Sequence, residues 1–138
     1  MKLYYEPDER IILDFIPGFV PGKKIAWAQI RIKAEGTILK KPFIRKGLDL
    51  ESAEPTRSTI SPNRVKTFWR RASELIERSR GKLPIADDVE GRSITIQSED
   101  GAVESVTLYG GGGGIEKQIK KDFDALWSDI AACTNGSS

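Results

Sequence analysis

The chain has 138 residues, with 22 basic and 20 acidic side chains, no histidine, one cysteine and 38% apolar residues, including three Trp and five Phe. This length suits one α+β domain over 1–138, with 1–10 and 133–138 as candidate frayed ends. The lone Cys133 excludes an internal disulfide framework, and the lack of histidine removes zinc sites and Ser-His or Cys-His catalysis. No run approaches the ~18 apolar residues of a membrane span. The early acids and proline of 1–10 do not resemble a signal peptide, so a cytoplasmic location is the expectation.

Charge is unevenly distributed along the chain. Residues 22–82 carry 16 basic and 6 acidic side chains, the remainder 6 basic and 14 acidic. An asymmetry of this kind points to a charged partner.

Leu3, Tyr4 and Tyr5 can form a short strand before a turn at Glu6-Pro7-Asp8-Glu9. Arg10–Ile16 reads as a strand apolar on both sides, which suits the centre of a sheet. Pro17 to Gly22 is a loop carrying Phe19 and Val20 at its tip beside Lys23 and Lys24. That tip either folds back over the core or dips into a membrane surface or a partner's pocket, and folding back is the simpler expectation.

Ile25–Lys33 alternates cleanly: Ala26, Ala28, Ile30 and Ile32 share one face, and Trp27, Gln29, Arg31 and Lys33 share the other. A turn at Ala34-Glu35-Gly36-Thr37 leads to a partner strand, Ile38–Ile44. Its Pro42 predicts an edge strand or a bulge. Trp27 amid Arg31, Lys33 and Lys41 is a candidate stacking platform for single-stranded nucleic acid. The plainer reading is a solvated strand whose lysines protect an edge. Residues 47–60, with Asp49, Glu51 and Glu54, read as a connector pinned by Leu48 and Leu50.

Ser61-Pro62 opens a helix, with serine as cap and proline at the first helical position. Val65, Phe68, Trp69, Ala72, Leu75 and Ile76 form its apolar stripe, and Gly81 ends it. Its outer surface carries Arg64, Lys66, Arg70, Arg71, Arg78 and Arg80, and Glu74 is spaced to pair with Arg70, Arg71 and Arg78. The link that follows holds Lys82, Asp87, Asp88 and Glu90. It lacks the alternating oxygens of a calcium loop and reads as a solvated acidic turn.

Ile94 and Ile96, then Val106 and Leu108, flank Ser98-Glu99-Asp100-Gly101 in a hairpin. Val103 is out of phase, which implies a bulge or packing near the turn. The run Gly110–Gly114 precedes a helix, but Ile115-Glu116 stands where a phosphate loop needs Lys-Ser/Thr, so a flexible connector is expected over an anion site. Ile115, Ile119, Phe123, Leu126, Trp127 and Ile130 stripe the last helix, Cys133 packs near its end, and Asn135-Gly136 offers a stop.

The predicted fold class is α+β: one mainly antiparallel sheet of about five strands with two amphipathic helices on one face. No catalytic, cofactor-binding or metal-binding residue emerges. The candidate partner-binding residues are Trp27, Arg31, Lys33, Lys41, Arg64, Lys66, Arg70 and Arg71. The expected function is a non-enzymatic interaction module of inhibitor, immunity or adaptor type, with a protein as partner. Nucleic-acid binding through the basic 23–80 region is the alternative, an enzyme using Asp87, Asp88 and Glu90 beside Lys82 ranks last, and an exposed second sheet face would favour a homodimer.

Overall fold

The computed structural model describes residues 6–16, 24–46, 49–80, 91–109 and 117–134. The expected features at Leu3–Tyr5, the Phe19-Val20 tip, Leu48, Gly81, Asp87-Asp88-Glu90, Gly110–Gly114 and Asn135-Gly136 lie outside these residues.

The strands are β1 (Glu9–Ile16), β2 (Lys24–Lys33), β3 (Thr37–Lys46), β4 (Asp49–Ser52), β5 (Thr56–Thr59), β6 (Gly91–Gln97) and β7 (Val103–Tyr109); the helices are α1 (Pro62–Ser79) and α2 (Lys117–Ala132). They build one antiparallel sheet in the order β4-β3-β2-β1-β6-β7, and β5 shares the outer side of β3 with β4. The α+β expectation holds, with six strand positions instead of about five. β1 is central, as its two apolar sides require.

The 47–60 stretch is not the plain connector its sequence suggests, because it supplies both β4 and β5. β5 pairs with β3 over Thr37–Lys40 and β4 over Phe43–Lys46, so the outer partner changes around Pro42. Ala53 N donates to Pro42 O (3.2 Å), which puts the carbonyl of Pro42 on the outer side. In a strand, N and C=O of one residue point the same way, so the missing donor falls in the gap between the two short strands. The proline thus marks a handover between partners, neither a free edge nor a bulge.

The hairpin register runs unbroken from Gly91↔Tyr109 to Gln97↔Val103. Val103 sits on the opposite face from Val106, is 41% exposed, and needs no bulge. A bulge occurs instead in β1, where Glu9 pairs with Lys33 and Ile11 with Ile32, leaving Arg10 as the extra residue.

One sheet face and both helices form the core. Ile11, Leu13, Ile30, Ile32, Ile38, Ile94, Ile96, Val106 and Leu108 meet Val65, Phe68, Ala72, Leu75 and Ile76 of α1 and Ile119, Phe123, Leu126 and Ile130 of α2. Trp69 and Trp127 pack half-buried against this cluster, and Cys133 is buried within it. Ser61 caps α1 by accepting from Arg64 N (3.2 Å), with Pro62 in the first helical turn.

The helices run antiparallel and are joined by ion pairs: Arg71 with Asp129 (2.8 Å) and Arg78 with Asp122. Seven residues forward on α1 match seven backward on α2. Glu74 takes none of the in-helix pairs its spacing allows among the described residues. Arg92 of β6 lies over the rings of Phe123 and Trp127 (5.1 and 5.5 Å) and bonds Asp124 (2.6 Å).

The second face is not an open apolar sheet. Ile12 is 1% exposed, and around it Arg31 donates to Glu9 Oε1 and Gln29 Oε1 (2.9 Å each), while Gln97 Nε2 donates to the carbonyls of Glu6 and Glu9 (2.9 Å each). Glu9 itself is 1% exposed, and its carboxylate also accepts from Glu6 N (2.7 Å). No buried side-chain nitrogen or oxygen among the described residues lacks a partner. Burial raises the pKa of Asp14 on this face, against hydrogen bonds from Phe15 N and Gln29 and the attraction of Arg31.

Three expectations follow. Gly36 has φ +108°, and a Cβ there would lie 1.9 Å from Ile60 O, so Gly36→Ala should cost on the order of 2–4 kcal/mol in urea unfolding. Gly101 has φ +91° but open space around it, so Gly101→Ala should cost only about 1 kcal/mol. Trp127→Ala removes a half-buried ring stacked on Phe123 at 6.0 Å and should cost about 2–3 kcal/mol.

The pH response carries two opposite signs. Asp14 titrates higher in the fold than its usual 3.8, so its ionisation costs stability as pH rises, and Asp14→Asn should raise the melting temperature at pH 7 with a gain that fades on acidification. Asp122 is lowered, chiefly by its hydrogen bond from Arg78. Burial pulls Asp124 upward, but hydrogen bonds from Lys120 and Arg92 carry it below 3.8. The contribution of these two is present above the unfolded value and is lost as pH falls through the lowered folded value, so Asp122→Asn should lower the melting temperature at pH 7 by an amount that shrinks on acidification.

Candidate functional site

The eight candidate residues do not form one surface. Trp27, Arg31, Lys33 and Lys41 belong to the second face of β2 and β3, whereas Arg64, Lys66, Arg70 and Arg71 ride on α1 across the sheet.

On the second face the charged groups are largely engaged. Arg31 bonds Glu9, and Lys33 reaches Asp8 at 3.5 Å. Trp27 stacks on Phe43 with centroids 5.5 Å apart and an interplanar angle of 21°, Phe15 tilts against it at 6.4 Å, and Lys41 Nζ lies 5.5 Å from the Phe43 ring centre.

On α1, side decides fate. Arg71 and Arg78 face α2 and are paired there, Arg80 bridges Glu77 and Glu104, and Arg64 lies over Phe68. Lys66 and Arg70, one turn apart and exposed, make no ion pair with any described residue. They form one lip of a cleft of about 570 Å³.

This cleft lies at the end of the sheet where β1 begins and β2 and β6 end. α1 supplies Val65, Lys66, Trp69 and Arg70; the β1 bulge supplies Arg10, the β2–β3 turn Ala34, and the β6–β7 turn Ser98, Glu99 and Asp100. Trp69 is both a core residue and its aromatic wall. The indole Nε1 donates to Gln97 O (3.1 Å), which ties α1 to the end of β6 and leaves the ring without a free hydrogen-bond donor.

Arg10 donates from Nη1 to Pro7 O (2.8 Å) and Glu9 O (3.2 Å), so the guanidinium is positioned by backbone instead of by a counter-charge. Asp100 Oδ1 accepts from Ala102 N (3.1 Å), which fixes the acidic lip. No ion pair bridges the two lips among the described residues. The cleft therefore offers an aromatic wall, two cations on the α1 lip, and Arg10 and two carboxylates from the sheet end. A volume of this size accepts a small molecule or a few residues of a peptide.

Sequence reasoning found Lys66 and Arg70, placed Trp69 only in the core, and missed Arg10, Glu99 and Asp100 as lining groups. Residue spacing carries no sign of the bulge that brings Arg10 to the cleft, and a turn composition such as Ser98–Gly101 does not say what the turn faces. Among the described residues no group of acidic and cysteine side chains is arranged to hold a metal ion, and no helix is long and apolar enough to cross a membrane. No protein-family model matches the chain, and no curated protein matches it.

Replacing Trp69 by Phe keeps an aromatic wall but removes the donor to Gln97 O. A loss of about 1 kcal/mol in urea unfolding is expected, against a larger loss for Trp69→Ala.

Proposed function

We propose that the protein is a non-enzymatic interaction module of inhibitor, immunity or adaptor type, and that it docks a protein partner through the cleft beside Trp69. One observation carries this reading: Lys66 and Arg70 remain free of ion pairs among the described residues beside an aromatic wall, while their neighbours Arg71, Arg78 and Arg80 are neutralised internally. Exposed cations next to a rigid ring supply both steering and a contact that excludes water.

A second reading rests on the Trp27–Phe43 stack beneath Lys41, which suits single-stranded nucleic acid. It is the weaker of the two. The Trp27 ring already stacks within the fold, and Arg31 and Lys33 already face Glu9 and Asp8.

The test is capture from the native lysate on immobilised full chain, with and without nuclease. The parent and Lys41→Glu should retain the same protein, Lys66→Glu/Arg70→Glu should lose it, and nuclease should release nothing. Retention of nucleic acid that is lost in Lys41→Glu and at raised salt would support the second reading instead.

A further inference from the structure

We infer that the occupant of the cleft is a short acidic-apolar segment of the partner, with a carboxylate held between Lys66 and Arg70 and a large apolar side chain laid on Trp69. This inference rests on the docking reading above and names what docks.

Three features converge on it. Lys66 and Arg70, at i and i+4, stand about 5–6 Å apart at their Cβ atoms, a spacing that lets two cations share one carboxylate or two successive acids. Arg10 approaches from the sheet side, its guanidinium already braced on two carbonyls, so less side-chain freedom is lost when an anion arrives. Trp69 has spent its only donor on Gln97 O, so a hydrogen-bond acceptor laid on the ring would find no donor there, whereas an aliphatic or aromatic side chain would lose nothing.

The opposite lip sets the polarity of the segment and excludes one class of ligand. Glu99 and Asp100 repel a second anion on that side, so a phosphate backbone with regularly repeated charge fits poorly. A peptide with acid at one end and neutral or basic residues after the apolar anchor fits both lips.

The experiment is fluorescence anisotropy of labelled peptides with the full chain at low salt. The probes are an acidic-apolar peptide ending in a lysine, the same peptide with serine for the apolar residue, its charge-reversed form, and a single-stranded oligonucleotide. The first should bind, and the others should bind about tenfold weaker or not at all. Lys66→Glu/Arg70→Glu should weaken the first by about tenfold with unchanged melting, Lys41→Glu on the other face should leave it unchanged, and Glu99→Lys/Asp100→Lys should raise oligonucleotide binding.

Equal binding of the serine peptide, indifference to Lys66→Glu/Arg70→Glu, or an oligonucleotide bound as tightly as the first peptide would overturn the inference. If no peptide binds while capture of a protein still depends on Lys66 and Arg70, the named occupant is wrong and docking at the cleft stands. Loss of that dependence as well removes both.

Discussion

The fold depends on closing one apolar sheet face with two helical stripes. Strands β1, β2, β3, β6 and β7 contribute isoleucine, leucine and valine to that face, and no single helix is wide enough to cover it. α1 and α2 therefore lie side by side, and each surface residue acquires a role from its angle around the helix. The stripe goes down, one flank meets the other helix, and the remaining flank meets whatever the sheet ends provide.

This arrangement absorbs part of the split in charge along the chain. The basic middle and the acidic end look like two surfaces awaiting partners, yet α1 and α2 are each other's counter-charge through Arg71–Asp129 and Arg78–Asp122. Exposed pairs of this kind contribute little to stability, about 0–1 kcal/mol each, but they disfavour other helix registers. Arg92 extends the same logic inward, bonding Asp124 while lying over Phe123 and Trp127. Lys66 and Arg70 lie on the flank of α1 away from these partners and make no ion pair with any described residue.

Elements long enough to show a period are legible in the sequence. The alternation of Ile25–Lys33, the paired isoleucines of β6 and the stripes of α1 and α2 each repeat several times, so one chance residue cannot disguise them. β4 and β5 are four residues each and exist because β3 offers two half-edges, a condition set by tertiary pairing. The same holds for Val103, whose face follows from an unbroken register, and for the β1 bulge, which places Glu9 opposite Lys33 and leaves Arg10 to the cleft. Helical spacing predicted that Glu74 would engage its own helix's arginines. Arg71 and Arg78 instead reach carboxylates 58 and 44 residues away, which local spacing cannot register.

The cleft proposed as a docking surface arises from constraints that first serve folding. Trp69 must be near the core to complete the α1 stripe, yet its ring is too large to vanish at the end of the sheet. Bonding Nε1 to Gln97 O removes the cost of an unpaired donor and fixes the ring's orientation. Once fixed, its open side becomes a rigid wall, a requirement for selective contact that a mobile surface residue cannot meet. The bulge at Arg10 and the tight turn at Gly101 add charge to either side without disturbing that wall. In the proposed docking, stability and recognition would share Trp69 but not Lys66 and Arg70, so the two lip cations are where the partner could change without unfolding the domain.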